Sequence, residues 1–329
     1  MKHLAILEHG KFLGVTGARL TVSAEGRTVR EIPLSRLRTI FVGKTGVGFS
    51  GALALECAGR GIRVFFTDFR GRIAAALVDQ HQHAVVEIRR AQFKAADTPV
   101  TMETARAMAY GKLRNQRALL LYFSKGAEPE AGERLKAGAA RLEAVAESLM
   151  AIPASADFRD AAMGCEGAGA SAYFEALRES GLLPPSFTAR IGRGALEPVN
   201  AALNYGYAIL QSYVWNAVIN AGMEPYEGVL HARRPGKPSL VLDLMEEFRA
   251  WVVDRQVIRL RPQLGREKEG GLSLATRRLL TERIQESMAA RHPWRNRRLH
   301  LESIVQRQAW RLAAAFCGEK PYKAYLFKW

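Results

Sequence analysis

The segment SLVLDLMEEFR, residues 239–249, combines an apolar helical face with carboxylate side chains. Its apolar residues at positions 241, 242, 245 and 248, continued at 252, have the spacing of a helix that packs on a core. Asp243 precedes Glu246 by three residues, so both carboxylates project from neighbouring points of one helix face. Like charges so placed repel each other, and a bound cation would relieve the repulsion. Pairing with Arg249 or Lys237 is the alternative explanation.

Two further side chains of metal-binding type precede this helix. Glu166 shares a helical face with Ala170 and Tyr173, four and seven residues later. The glycines near it, at 164, 167 and 169, each destabilise a helix by about 1 kcal/mol relative to alanine. Glycines in a helix are usually retained where a backbone or a ligand must approach closely. His231 ends an apolar run. Alone, each residue is more often structural, but two oxygen donors and an imidazole suit a divalent metal that handles phosphate oxygens.

Long amphipathic helical patterns dominate most of the chain. They cover residues 101–124, 130–151, 158–180, 197–221, 241–261 and 273–290, with proline or glycine breaks among them. Before about residue 84, short strand-like runs occur at 3–7, 19–22, 28–32, 39–42, 62–66 and 73–78, with one short apolar helix at 52–58. We predict an α+β protein: a small N-terminal β-rich domain over residues 1–83, a linking helix or linker over 84–100, and a larger all-α-helical catalytic domain over 101–329.

The chain is strongly basic. Its 329 residues carry a net charge of +16 and give a pI near 10.1, and 48% of them are hydrophobic. The composition predicts a globular protein, and the charge predicts salt-sensitive binding of a polyanion such as nucleic acid, although solvated basic faces would look the same. No run reaches the ~20 apolar residues of a membrane span, so we expect no membrane segment. The absence of a signal peptide and the three scattered cysteines indicate a cytoplasmic protein.

Basic residues flank the candidate metal ligands along the chain. We predict phosphate contacts from five of them and base stacking from one aromatic ring, and these are Arg190, Arg193, Arg233, Arg234, Lys237 and Tyr226. Contacts of this kind position DNA without reading its sequence. Helical spacing predicts core packing for Tyr205, Tyr207 and Trp215. Arginines at 277–278 and 295–298 are candidates farther from the ligands.

Several ordered motifs in the helical part resemble one known family. They are Gly164–Gly167 with Tyr173-Phe174, Pro198–Ala201 with Asn204–Tyr207, Gly222–His231 leading into Ser239–Glu246, and Gly111-Lys112 with Asn115-Gln116. Together they resemble the CRISPR adaptation integrase, CRISPR-associated protein 1, over nearly the whole chain. The sequence departs from the family pattern at Ser171, where many members have arginine, and at Ala250, which replaces a common proline.

The resemblance implies a fold, a site and a function. It implies an N-terminal β-domain for dimerisation and a helical domain in which Glu166, His231 and Glu246 hold Mg²⁺ or Mn²⁺, with Asp243 supporting the site or substituting as a ligand. It implies homodimers, two of which flank a dimer of CRISPR-associated protein 2 in a heterohexamer. That complex joins the 3′-OH ends of short double-stranded DNA fragments to the repeat array by transesterification. A stand-alone metal-dependent nuclease and a non-catalytic DNA-binding scaffold are the alternatives.

Overall fold

Two four-stranded sheets form the N-terminal part of the computed structural model, which describes residues 3–67, 73–77, 86–96, 98–155, 157–192, 195, 197–232, 234–266 and 271–328. The strands are β1 (His3–Ile6), β2 (Lys11–Thr16), β3 (Arg19–Ala24), β4 (Arg27–Pro33), β5 (Thr39–Val42), β6 (Gly48–Phe49), β7 (Arg63–Thr67) and β8 (Ile73–Leu77), with helix α1 (Gly51–Gly59) before β7. One sheet has the order β1-β5-β7-β8 and the other the order β4-β3-β2-β6. Strand β5 is parallel to both of its neighbours and is buried along its whole length, as expected for a strand covered on both faces.

The rest of the described chain is mostly helical. Its helices are α2 (Val86–Ala95), α3 (Pro99–Ser124), α4 (Pro129–Ala151), α5 (Phe158–Glu179), α6 (Pro198–Asn220), α7 (Ser239–Arg249), α8 (Arg255–Leu260), α9 (Leu274–Ala289) and α10 (Leu301–Phe316). The prediction of a β-rich N-terminal part followed by a helical part is confirmed. The second part is not purely helical, however, because β9 (Arg291–Trp294) and β10 (Arg297–His300) form a hairpin between α9 and α10. The sequence patterns missed it because its alternation is short and mostly basic.

Helix α6 binds the N-terminal part to the helical part. Arg63 Nη1 donates to Asn216 Oδ1 at 2.9 Å, and its Nη2 donates to Asn220 Oδ1 at 2.7 Å. Asn216 in turn donates to Thr39 Oγ1 at 3.0 Å, so one helix contacts two neighbouring strands. The predicted domain limit at residues 83 and 84 lies outside the described residues. No described helix has the length and apolarity that a membrane span requires.

The helices that carry the candidate site pack closely against each other. A Cβ atom at Gly169 would collide with Leu113 Cδ2, so glycine lets α5 approach α3 this closely without displacing the leucine side chain. Glu166 lies almost one turn before Gly169, and Lys112 is adjacent to Leu113. The glycine therefore brings the predicted ligand Glu166 against a lysine of another helix. Helix α7 continues through a π-helical segment, Ala250–Asp254, into α8, so the predicted helix over 241–261 contains an irregular turn.

Candidate active site

A buried lysine joins the two glutamates predicted as metal ligands. Lys112 Nζ, from α3, contacts Glu166 Oε1 of α5 and lies 3.0 Å from Glu246 Oε2 of α7. Arg249, almost one turn after Glu246, places its Nη1 3.2 Å from Glu246 Oε1. The side chains of Lys112 and Glu246 are 8% and 2% exposed, and that of Glu166 is 16% exposed. Three helices therefore gather two carboxylates and two cations in one pocket, in which the side chain of Arg249, at 24%, is the most exposed of the four.

The two cations keep Glu246 ionised. Burial alone would raise the pKa of Glu246, but Arg249 and Lys112 outweigh burial and lower that pKa from 4.5 to about 2. Burial would lower the pKa of Lys112, whereas Glu246 and Glu166 raise it. At neutral pH, Glu246 is therefore an anionic oxygen donor whose charge is balanced by its neighbours.

Asp243 fixes the position of His231. Its Oδ2 accepts hydrogen bonds from the backbone N–H groups of Val229 at 2.7 Å and Leu230 at 3.0 Å, and its Oδ1 accepts from the backbone N–H of His231 at 3.1 Å. The ring Nδ1 of His231 lies 2.5 Å from the same Oδ1. When Nδ1–H donates to this carboxylate, Nε2 is the ring nitrogen that remains for a ligand. Asp243 thus holds the histidine and its loop, whereas Glu246 faces the lysine.

The loop that leads to the histidine requires glycine at position 228. A Cβ atom there would lie 2.9 Å from Asp243 Oδ2 and 2.6 Å from Ser239 Cβ, which is closer than such contacts normally are. The absence of a side chain lets the loop run close to α7. The order Gly228-Val229-Leu230-His231 therefore points consecutive backbone N–H groups at one buried carboxylate.

The types of the predicted ligands suit a divalent cation, but in the structure a lysine side chain lies between the two glutamates. Among the described residues, no three His, Cys, Asp or Glu side chains are arranged as they stand to hold a metal ion. The ammonium group of Lys112 lies between Glu166 and Glu246 and supplies the local positive charge. Two carboxylates and an imidazole held through Nδ1 have the chemistry of a Mg²⁺ or Mn²⁺ site once the lysine withdraws. Metal binding by Glu166, His231 and Glu246 therefore stays a prediction.

Aromatic and acidic side chains support the arginines beside the pocket. The guanidinium groups of Arg249 and Arg190 lie 4.8 Å and 5.3 Å from the centroid of the Tyr207 ring. Tyr207 Oη donates to Asp254 Oδ1 at 2.6 Å, and Tyr173 Oη donates to Asp254 Oδ2 at 3.0 Å. Burial raises the pKa of Asp254 from 3.8 to about 6, although hydrogen bonds from both tyrosines oppose the shift. Asp254 ends the π-helical segment, so this irregular turn anchors the ring that both arginines cover.

Arg190 and Tyr226, two of the predicted DNA contacts, are held by neighbouring side chains. Arg190 donates to Asn200 Oδ1 at 3.1 Å and to Asn204 Oδ1 at 2.6 Å, so the N-terminal half of α6 orients its guanidinium group. Tyr226 is 45% exposed and packs edge-on against Trp215, with ring centroids 5.9 Å apart. Both residues can therefore meet a ligand without a large loss of side-chain freedom.

The remaining predicted DNA contacts follow His231 or lie in the loop before α6. Lys237 is partly buried, and burial lowers its pKa while the charge of Asp243 opposes that shift, which places its amine near the histidine loop. Arg234 is exposed. Arg193 and Arg233 lie outside the described residues. The structure thus places Lys237 beside the pocket and Arg234 on the adjoining surface.

Lys112, Tyr207 and Asp254 contribute to the site although no site role was predicted for them, and two of them, Lys112 and Tyr207, lie within the family motifs. One signal was available for the lysine. It lies four residues after Met108 and three before Asn115 on α3, and both of these are almost fully buried. A lysine on the core face of a helix indicates a buried anion that pairs with it. No comparable local signal marks Asp254, because its tyrosine partners come from two other helices.

A family model, curated relatives and solved structures match this chain. The family model described as CRISPR associated protein Cas1 matches residues 4–284. A CRISPR-associated endonuclease Cas1 of Francisella tularensis subsp. novicida is 43% identical over 329 residues, which is 100% of both chains. A casposase bound to integration product has a TM-score of 0.83 at 19% identity, with 98% of this chain and 93% of that chain covered. A chain of a Cas6-RT-Cas1–Cas2 complex has a TM-score of 0.81 at 20% identity, with 98% of this chain and 36% of that chain covered.

Proposed function

Because the chain belongs to the Cas1 family of CRISPR-associated proteins, we propose that it joins the 3′-OH ends of short double-stranded DNA fragments to a repeat array by transesterification. The name of the 43% identical endonuclease supports a nuclease or integrase role in general. The convergence of Glu166, Lys112 and Glu246 beside His231 supports the proposal of strand joining. A scaffold that only bound DNA would not need ionised carboxylates buried within a basic protein.

Glu166, Glu246 and Nε2 of His231 would hold the divalent cation. Bound there, Mg²⁺ or Mn²⁺ would withdraw charge from the scissile phosphate and lower the pKa of the attacking hydroxyl. Arg249 keeps Glu246 ionised and oriented through their contact at 3.2 Å. Asp243 holds Nδ1 of the histidine, which directs Nε2 away from that carboxylate.

Lys112 balances the charge of the two carboxylates before any cation enters. Its ammonium group must move from between Glu166 and Glu246 when they bind a metal, and a phosphate oxygen then becomes its natural partner. Arg190 is already oriented by two asparagines and adds a planar donor group for phosphate. Arg234 and Lys237 extend the positive surface next to the histidine. These residues position DNA and stabilise developing charge, which suits a phosphodiester exchange in which little bond energy changes.

A metal-dependent nuclease is the second candidate function, because water can replace the 3′-OH as nucleophile at the same residues. The 43% identical relative is named an endonuclease, which favours this activity alongside joining. Nothing in the charge cluster selects one nucleophile over the other, since both are oxygen groups that lose a proton. The bound DNA ends therefore decide the outcome.

Two kinds of protein partner belong to the proposal. We expect a homodimer formed through the N-terminal part, where Phe12, Val29 and Leu55 are exposed apolar side chains. We also expect CRISPR-associated protein 2 to bridge two such dimers in a heterohexamer. The similarity to a chain of a Cas6-RT-Cas1–Cas2 complex supports this partner.

A strand-transfer assay tests the proposed function. Labelled short duplexes with free 3′-OH ends are mixed with a supercoiled plasmid that carries a repeat array, with Mg²⁺, Mn²⁺ or EDTA and with or without the partner protein. We expect metal-dependent covalent joining by the parent protein and no joining by His231→Ala, with DNA binding retained in both. Cutting without joining would favour the nuclease, and joining in EDTA would overturn the metal site.

A further inference from the structure

A group of arginines without ionic partners covers the β9–β10 hairpin. Residues 291–298 contain four arginines and no acidic residue. All four are exposed, and within the described part of the chain none of them forms an ion pair; we call Arg291, Arg295, Arg297 and Arg298 the arginine hairpin. Arginines on α4 differ, since Arg134 and Arg141 are exposed to a similar degree but pair with glutamates. The hairpin therefore presents positive charge that no acidic side chain of the described residues neutralises.

Aromatic contacts fix the hairpin to helix α7. Trp294 stacks on Tyr325, with ring centroids 6.0 Å apart, and the guanidinium group of Arg311 lies 4.9 Å from the Trp294 ring. Tyr325 Oη donates to the carbonyl oxygen of Pro293 at 3.0 Å, and its ring stacks on Phe248 at 6.2 Å. The arginines are thus carried by an anchored two-stranded ribbon, which reduces the entropy that binding would cost.

The arginine hairpin lies on the side of α7 that faces away from the carboxylate pocket. Glu246 points to Lys112, whereas Phe248 points to the tail segment that holds the hairpin. Two residues turn an α-helix by about 200°, so these side chains leave opposite faces. The hairpin arginines therefore lie on the side of the Phe248 face of α7, opposite the face that carries Glu246. They form a separate surface.

Further cations extend this surface. Burial, together with the charges of Arg255 and Arg298, lowers the pKa of His292 from 6.5 to about 4. Burial and the charge of Arg259 lower the pKa of Arg255 from 12.5 to about 10. Arginines from α8 and from the hairpin therefore act on the same imidazole. A cluster of positive charges beside buried, poorly hydrated protein attracts polyanions strongly.

The tip of the hairpin carries a cation where the backbone favours a smaller residue. Arg295 has a φ of +51°, in the left-handed region that favours glycine or asparagine. It begins the two-residue connection between Trp294 and Arg297, which pair across the strands. The turn thus adds a third exposed charge next to Arg297 and Arg298.

We propose that the arginine hairpin binds the phosphate backbone of a DNA duplex other than the strand end held at the carboxylate pocket. The inference rests on the proposed function, because strand joining brings together two DNA molecules, and Lys112 and Arg249 lie beside the carboxylates on the other side of α7. Guanidinium groups match phosphate oxygens with paired N–H donors. A protein partner would require an apolar centre in its contact area, whereas the exposed positions of residues 291–298 are the four arginines and one asparagine, Asn296.

Salt-dependent binding of a blunt duplex, measured in EDTA, tests the proposal. The hairpin variant Arg291→Gln/Arg297→Gln/Arg298→Gln is compared with the matched α4 variant Arg134→Gln/Lys136→Gln/Arg141→Gln, whose three cations pair with glutamates. Each lost phosphate contact should reduce the slope of log K against log salt by about 0.9. We expect a reduction of about 2 to 3 for the hairpin variant and of less than about 1 for the α4 variant.

A second variant separates lost charge from a loosened hairpin. Arg298 Nη2 donates to the carbonyl oxygen of Arg291 at 2.8 Å, so changing Arg298 can disturb the ribbon. Arg295→Gln/Arg297→Gln leaves that bond intact and should still reduce the slope by about 1 to 2. A parental slope in both hairpin variants would overturn the proposal and leave the surface to an acidic protein. Because binding is measured without metal, failure of the proposed chemistry appears separately, as a parent protein that binds DNA but never joins it.

Discussion

Glu246 and Glu247 are consecutive residues of α7 and are both almost fully buried, yet their surroundings have opposite electrostatic effects. At Glu246, burial is outweighed by Arg249 and Lys112, and the pKa falls from 4.5 to about 2. At Glu247, burial dominates and raises the pKa from 4.5 to about 7. Residue type, helix and depth are the same, so the charge of the neighbours decides which glutamate is available for chemistry.

Glu247 is surrounded mainly by uncharged hydrogen-bond donors, and the charge of Arg311 lowers its pKa less than burial raises it. Its carboxyl group accepts hydrogen bonds from Tyr322 Oη, from the backbone N–H of Tyr325 at 2.8 Å and from Gln308 Nε2 at 2.9 Å. Asn115 bridges the same region, because its Nδ2 donates to the backbone oxygens of Glu247 and Tyr325 at 2.8 Å each. One face of α7 thus carries the charge cluster, and the other binds the segment after α10. Fixing one face holds the other in position.

Replacing Glu246 and Glu247 by glutamine, one at a time, tests most directly whether the two glutamates have different roles. Glu246→Gln should reduce strand joining or cutting on the order of 1,000-fold, the upper end of the cost of losing one group that stabilises developing charge. Glu247→Gln should retain activity within about 3-fold, because an amide is close in shape to a carboxyl group whose burial favours the neutral form. Single-turnover rates measure both effects. Equal losses in the two variants would show that the faces of the helix are not distinct.

The lysine between the carboxylates can be tested through stability instead of activity. Lys112→Met leaves Glu166 and Glu246 without their shared cation, and we expect a loss of about 3 kcal/mol in EDTA, at the lower end for a broken buried ion pair because Arg249 remains. Mn²⁺ should restore about 2.7 kcal/mol at 100 times its Kd. Urea unfolding with and without metal measures both quantities. Lys112→Arg is the control, and a variant that gains no more from Mn²⁺ than this control would contradict a metal site at the two glutamates.

Stability against pH should distinguish the two glutamates by the sign of their contributions. The pKa of Glu247 is raised in the folded state, so its contribution is complete below pH 4.5 and is lost as the pH rises through about 7. The pKa of Glu246 is lowered, so its contribution is complete above pH 4.5 and is lost as the pH falls towards about 2. Each shift corresponds to about 3 kcal/mol. Unfolding free energies should lose their alkaline decline in Glu247→Gln and their acid decline in Glu246→Gln; unchanged curves would contradict the assigned environments.

Long helices were predictable from the sequence because their signals are local. Helices α3, α4, α5, α6 and α9 lie within a few residues of the predicted spans, since each has a sustained apolar period and ends near proline, glycine or a polar turn. Strands β2 and β6, helix α10 and the hairpin were not predicted. Gly14 interrupts the apolar pattern of β2, and the hairpin depends on Trp294 packing on Tyr325, a contact that no local pattern contains. Local periodicity therefore fails where tertiary contacts stabilise a short element.

The candidate site was predictable only in part, for the same reason. The family motifs identified Glu166, His231 and Glu246, but spacing alone placed Asp243 and Glu246 together on one helix face. In the structure these two carboxylates diverge, because one meets the histidine loop and the other meets a lysine 134 positions earlier in the chain, Lys112. The partner of a buried charge comes from another helix, and a window of sequence does not contain it.

The smallest effect is expected from a test of the different roles of Asp243, which orients His231, and Glu246, which would bind the metal. Asp243→Asn keeps an oxygen for the N–H groups of Val229 and Leu230. It places an NH₂ group where Oδ1 accepted from both the backbone N–H and the ring of His231, so the imidazole loses its fixed orientation. Losing such a supporting partner typically costs 10- to 100-fold in metal affinity or activity, and we expect a loss of about that size. Raising the Mn²⁺ concentration should recover part of the rate in Asp243→Asn and little in Glu246→Gln. If instead the two variants lose activity equally and neither responds to Mn²⁺, then Asp243 acts as a ligand and not as the residue that orients His231.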